Sequence, residues 1–242
     1  MNQYYQEPIY DTEAPLFNMN KVDVRLSFIR KVYLILSAQL ILTTGLVAVG
    51  MTNKGYREYI RTHVSLFIVA IVLNLISAYA IICSKSVART VPTNYFFLSL
   101  FTLTEAYLVS MITSVTEPEI VFVAVCLTAG IVVSLTIYAM YTKTDFTMMG
   151  GMLFMLCSTL ILMTILAIFI RTTALQIIIS SFAVFLFGIY LIYDTQLIVG
   201  GKRAELSIDD YIVGALMLYI DIITIFIEIL KLLSIASGNR NN

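Results

Sequence analysis

Three acidic residues stand where an acid is costly. Glu105, Asp194 and Asp221 each lie within a long apolar stretch, and an ionisable side chain in the middle of a membrane helix costs about 2.5 to 3.5 kcal/mol on insertion scales. An acid kept in such a place faces a cavity, a partner or water, so it is read as functional unless a partner explains it. Asp194 sits in Ile192-Tyr193-Asp194-Thr195-Gln196, about six residues before Gly200-Gly201, which predicts a depth of about 9 Å at 1.5 Å per residue. Asp221 follows Tyr211 by about ten residues, a depth of about 15 Å. In a helical hairpin the two carboxyls meet only if tilt or asymmetry absorbs the remaining distance of about 6 Å. Two carboxylates held together in low dielectric cannot both ionise easily, so such a pair is expected to respond to pH. For Glu105, a hydrogen bond to a neighbouring helix and a place on an ion path are both consistent with the sequence. Glu228 lies nearly on the same helix face as Asp221, and Lys231, three residues on, is expected to pair with it.

The elements that must carry these acids are transmembrane helices. Of the 242 residues, 60% are hydrophobic and 12% are charged, about half the charge of an average soluble domain. A hydrocarbon core about 30 Å thick needs about 20 apolar residues in a helix. Seven segments qualify: Val32 to Met51, Val64 to Ser84, Tyr95 to Thr116, Ile120 to Thr142, Phe146 to Ile170, Ala174 to Val199 and Tyr211 to Leu230. The last, with both Asp221 and Glu228, is the most polar. The expected fold is all-α, a polytopic membrane bundle with residues 32–231 in the membrane, a polar tail over 1–31 and a short polar tail over 232–242. Connections around Glu117-Pro118-Glu119 and Arg171-Thr172-Thr173 leave room only for tight turns between antiparallel neighbours. Gly45, Gly50, Gly150, Gly151 and Gly188 can let helix backbones approach closely.

Several functions are disfavoured. Fifteen basic and fifteen acidic residues give a formal net charge of zero, so there is no basic field to draw in nucleic acid. One histidine, His63, and three cysteines, Cys83, Cys126 and Cys157, without metal-ligand spacing argue against a zinc enzyme. The cysteines are expected to pack as small hydrophobes. No apolar h-region follows Met1, so the first apolar helix is expected to serve as the insertion signal. Tyr4, Tyr5 and Tyr10 are candidate recognition sites in an otherwise unstructured leader.

Charge in the loops sets orientation. The face of the amino terminus carries Lys21, Arg25, Arg30, Lys31, Lys85, Arg89, Lys143, Lys202 and Arg203, nine in all. The other face has Lys54, Arg57, Arg61 and Arg171, with Lys231 and Arg240 added if seven spans place the tail there, giving six. A cytosolic amino terminus follows. If the last segment enters and leaves on one face, the split becomes eleven to four, which mildly favours six spans and a re-entrant last segment.

The sequence resembles the transmembrane BAX inhibitor motif family, also called Lifeguard, and most of all its Golgi anti-apoptotic protein branch. The likeness covers nearly the whole chain. It is carried by Phe28-Ile29-Arg30-Lys31-Val32-Tyr33 with Gln39-Leu40, by Thr104-Glu105-Ala106, by Tyr193-Asp194-Thr195-Gln196, and by Leu206, Asp210-Tyr211 and Leu218-Tyr219-Ile220-Asp221-Ile222-Ile223 with Phe226. Thr224 stands where the family usually has Asn, and Ala106 where Gly often follows the glutamate. The resemblance implies a pH-sensitive calcium leak in the endoplasmic reticulum or Golgi membrane that lowers store calcium and inhibits apoptosis, with Asp194 and Asp221 as sensor pair and Arg89 as a latch of the closed state. Thr195, Gln196 and Thr224 are then candidate oxygen ligands for a transient calcium stop, too few for a tight site of six to eight oxygens. No cofactor is expected beyond calcium as the permeant ion. Membrane lipid, apoptosis or calcium-release membrane proteins and further copies of the chain are the candidate partners.

Two other classes fit part of the pattern. An intramembrane aspartyl protease also places one aspartate on each of two adjacent helices, the first in a Tyr-Asp pair, as Tyr193-Asp194 does. Asp221, however, follows Leu218-Tyr219-Ile220 where those proteases have Gly-x-Gly-Asp, and no Pro-Ala-Leu segment occurs near the carboxyl end. The leak is therefore preferred, and no enzymatic activity is expected. A non-conducting scaffold that binds apoptosis regulators is the third reading.

Overall fold

A computed structural model of the protein describes residues 13–238. Tyr4, Tyr5, Tyr10 and Arg240 lie outside the described residues. The chain runs through α1 (Glu13–Thr52), α2 (Lys54–Thr62), α3 (Val64–Cys83), α4 (Lys85–Arg89), α5 (Thr93–Thr113), α6 (Pro118–Tyr141), a 3-10 turn (Phe146–Met149), α7 (Gly150–Phe169), α8 (Thr173–Val199) and α9 (Tyr211–Ala236). No strand occurs among the described residues. Seven of the helices are long and apolar enough to cross a bilayer, each covering one of the seven segments expected from hydropathy. In lipid every backbone polar group needs an internal partner, which is why long apolar runs become helices.

The boundaries follow local chemistry. Pro118 begins α6, where its missing N–H costs nothing. Thr172 caps α8 by accepting from the Leu175 amide, and Asn53 caps α2 by accepting from Tyr56. At its start α1 departs from expectation, because residues 22–31, assigned to the polar leader, continue the helix, and Phe28 is buried in the bundle. Nothing between Pro15 and Thr52 breaks a helix, and Phe28 has an apolar surface to meet.

The last segment is the centre of the molecule. α9 packs against α8, α1, α6 and α5, whereas α3 leans on α5 and α7 on α8 at the periphery. Accordingly 67% of an apolar 18-residue window of α9 is buried and only 11% of the corresponding window of α7. α9 is one unbroken helix of 26 residues, about 39 Å long, long enough to cross a bilayer and with no break at which to turn back. Asp221 and Tyr219 of α9 are covered by other helices. Tyr219, fully buried, shows how: its ring meets Phe101 edge-on at 5.9 Å and its hydroxyl lies 2.7 Å from that of Thr43.

Small residues act selectively. A Cβ on Gly50 would lie 2.7 Å from the Ser110 hydroxyl, so α1 and α5 approach closely there, whereas Gly45 and Gly151 have open space around them. Cys83 and Cys126 are exposed on the outside of the bundle and Cys157 is half-buried; all three are free thiols. His63 stacks on Tyr59 at 4.2 Å at the α2–α3 junction.

Candidate functional site

Asp194 and Asp221 meet. α8 and α9 form an antiparallel hairpin in which Gly214 lets Ile198 approach. From that contact Asp194 lies four residues back and Asp221 seven residues on, a mismatch of three residues or about 4.5 Å, which two side chains can bridge. The connecting loop folds back so that the Leu206 amide bonds the Leu197 carbonyl at 2.9 Å. Both carboxyls are 3% exposed and stand within hydrogen-bonding contact of each other. Oδ1 of Asp194 and Oδ2 of Asp221 have no N–H or O–H partner, and no salt bridge to either acid occurs among the described residues. A proton shared between the two is the bond that this geometry leaves available.

Hydroxyls surround the pair. Tyr190, on α8 one turn before Asp194, faces both acids and the Cys157 thiol of α7. Tyr33 of α1 turns its hydroxyl towards Thr195, and both hydroxyls are buried without a conventional hydrogen bond. Buried polar atoms are nearly always satisfied. Four oxygens around one turn of α8, from α1, α8 and α9, nonetheless stand without a conventional partner.

The remaining expected residues are placed differently. Gln196 does not join the pair: its Nε2 donates to the carbonyls of Thr144 at 2.9 Å and Ala139 at 3.4 Å, and its Oε1 accepts from the Phe146 amide at 2.8 Å. It is buried and pins the α6–α7 connection. Thr195 is next to the pair, and Thr224 is half-buried one turn beyond Asp221. Arg89, the expected latch, pairs instead with Asp210 at the start of α9, Nε to Oδ1 at 2.7 Å and Nη2 to Oδ2 at 2.8 Å. Asp210 precedes Asp221 by eleven residues, about 16 Å along the helix. Any latch through Arg89 thus works on the beginning of α9 and not on the carboxyl pair. Glu105 stands apart too, accepting from Asn74 of α3 at 2.9 Å. Glu228 pairs with Lys231 at 2.6 Å, as its spacing predicts, and also accepts from Ser180 of α8 at 2.7 Å.

Three contributors escaped the sequence reading. Asn74 was legible as an amide alone in an apolar span. Tyr33 lies in the Phe28 to Tyr33 motif, but its direction depends on how α1 meets α8. Arg25 had been counted only as a loop charge, yet it bonds three carbonyls at the end of α8 and in the loop that follows. The same face holds Asp145, outside the spans. The Thr147 hydroxyl, and then the amides of Arg203 and Thr147 with Lys202 close by, hold its carboxyl below the usual range against a smaller opposing effect of burial.

Comparison with known proteins places these features in a lineage. The family model described as "Inhibitor of apoptosis-promoting Bax1" matches residues 25–238. The chain is 33% identical over 213 residues to Protein lifeguard 3 of Mus musculus, covering 86% of this chain and 69% of the relative. It is 32% identical over 222 residues to Protein lifeguard 3 of Homo sapiens, covering 90% and 70%. To Bax inhibitor 1 of Schizosaccharomyces pombe it is 30% identical over 220 residues, covering 90% and 80%.

Proposed function

Because the chain belongs to the Bax inhibitor family of multi-pass membrane proteins, we propose that it is a pH-sensitive calcium leak of endoplasmic reticulum or Golgi membranes that restrains apoptosis by lowering store calcium. The observation that carries this reading is the contact between Asp194 and Asp221, buried and with no basic residue to settle it. While a proton is shared, it ties α8 to α9. Once both acids ionise, their repulsion in a poorly hydrated site loosens the hairpin, so the open fraction rises with pH. The same two carboxylates, with Thr195 beside them, then offer calcium a few oxygens. A leak needs such weak binding, since an ion must be able to leave as readily as it enters. The amino terminus faces the cytosol, in line with nine basic residues on its face against six on the other for seven spans.

Purified full-length protein in liposomes loaded with calcium indicator tests this between pH 5 and 8, with a model transmembrane peptide present. Calcium flux that rises with pH and leaves the peptide intact is the expected result. Cleavage without flux would replace the leak by an aspartyl protease, and neither activity would leave a scaffold.

A further inference from the structure

The carboxyl end of α8 is held by a side chain from α1. A helix end leaves its last carbonyls without partners, and here Arg25 supplies them. Its Nη2 donates to the Leu197 carbonyl at 2.6 Å and its Nε to that of Val199 at 3.2 Å, while Nη1 reaches the Leu206 carbonyl at 2.7 Å. One planar guanidinium thus joins the end of α8 to the residue at which the loop returns. Leu206 in turn packs near Gly214 of α9, beside Ile198. The backbone makes room for it: Gly200 has φ of 77°, and a Cβ there would lie 2.9 Å from Arg25 Cζ and 2.6 Å from Glu205 Oε2. Glu205 is the acid that faces the guanidinium, and Phe28 lies under it at 4.8 Å.

These contacts fix how far α8 stands along α9. Leu197 is three residues from Asp194, and Gly214 is seven from Asp221, so a slip of one residue at this junction shifts one acid along the other by about 1.5 Å. The titratable groups facing the pair itself are Tyr190 and Tyr193 from α8, with Cys157 of α7 reached through Tyr190, while Tyr33 of α1 meets the neighbouring Thr195. Arg25 acts away from the acids, joining the end of α8 to the loop at Leu206.

We propose that Arg25 is a positioning residue for the carboxyl pair: by forking across Leu197, Val199 and Leu206 it sets the α8–α9 register that brings Asp194 and Asp221 together. Its consequence for flux rests on the leak reading; its consequence for register does not. Lysine would keep the charge at the helix end but cannot reproduce the planar fork, so Arg25→Lys separates the two roles.

Arg25→Lys and Arg25→Gln are made in the full chain, with helix content checked by circular dichroism, and reconstituted in liposomes. Both variants are expected to speed amide exchange in the 197–206 segment by about tenfold, as two to three hydrogen bonds are lost. Both should also displace the pH midpoint of calcium flux, and that displacement should vanish in an Asp221→Asn background, where no pair remains to be aligned. Wild-type exchange and pH profile in Arg25→Lys would overturn the proposal, as would a displacement that persists with Asp221→Asn. Should the wild type carry no calcium, the leak reading fails by itself. The pair is then followed by the infrared band of its protonated carboxyl, assigned with Asp221→Asn; a midpoint moved by Arg25→Lys supports the proposal and an unmoved one overturns it.

Discussion

Half-buried Glu105 and the buried Asp194–Asp221 pair are acids of the same bundle, but they are satisfied in opposite ways. Glu105 has a donor of its own, the Asn74 amide, which also reaches the Thr104 hydroxyl at 3.3 Å and so clamps α3 to α5. Glu228 is similarly provided for by Lys231 and Ser180. The two aspartates have no basic partner among the described residues and stand against each other, on the two helices that pack together most extensively. An acid with its own donor stabilises one arrangement of its helices. Two acids without one can bond each other only through a shared proton, the basis of the pH dependence proposed for their contact.

The comparison is broken most directly by neutralising one member of the pair. Asp194→Asn or Asp221→Asn should each remove most of the pH dependence of calcium flux between pH 5 and 8, because a single carboxyl has no partner with which to share a proton. Flux in liposomes measures it. A wild-type pH profile in both variants would take the aspartates out of the gate and make Glu105 the next acid to change.

A smaller effect, on stability, is expected on the other side of the comparison. Asn74→Leu leaves Glu105 half-buried without its donor and should destabilise the bundle by about 1 to 3 kcal/mol, read from unfolding in detergent. Glu105→Gln in the same background should recover part of that loss, since a neutral amide is cheaper to bury unpaired. The pH profile of flux should be unchanged by Asn74→Leu. If it flattens, Glu105 belongs to the gate after all.

The smallest effect concerns Asp145, an acid whose donors hold it charged outside the spans. It accepts from the Thr147 hydroxyl at 2.6 Å and amide at 3.0 Å and from the Arg203 amide at 3.1 Å. Since its pKa is depressed in the folded protein, its contribution is complete above the ordinary Asp value of about 3.9 and is lost as pH falls through the lowered value. The contact between residues 145–147 and 203–204 should therefore stay closed from neutral pH down to about 4. Asp145→Asn should loosen it at neutral pH, with faster amide exchange at Arg203 and Ala204 and little change elsewhere. Unchanged exchange would mean that the loops are held by Lys202, which donates to the Thr142 and Lys143 carbonyls.

The sequence by itself determined the seven spans, the acids within them, the Glu228–Lys231 pair and the family. Each of these depends on composition along the chain or on spacing within one helix, and transfer from water to lipid is a property of each segment alone. What only the tertiary structure decided is lateral: that the most polar segment is the most central, that Gln196 serves a loop, that Arg89 meets Asp210, and that Arg25 reaches α8. Helices that are apolar all round carry no stripe to say which neighbour each face will meet. In lipid that choice falls to close packing and to polar groups finding partners, and those partners lie 121 residues away for Arg89 and more than 170 for Arg25.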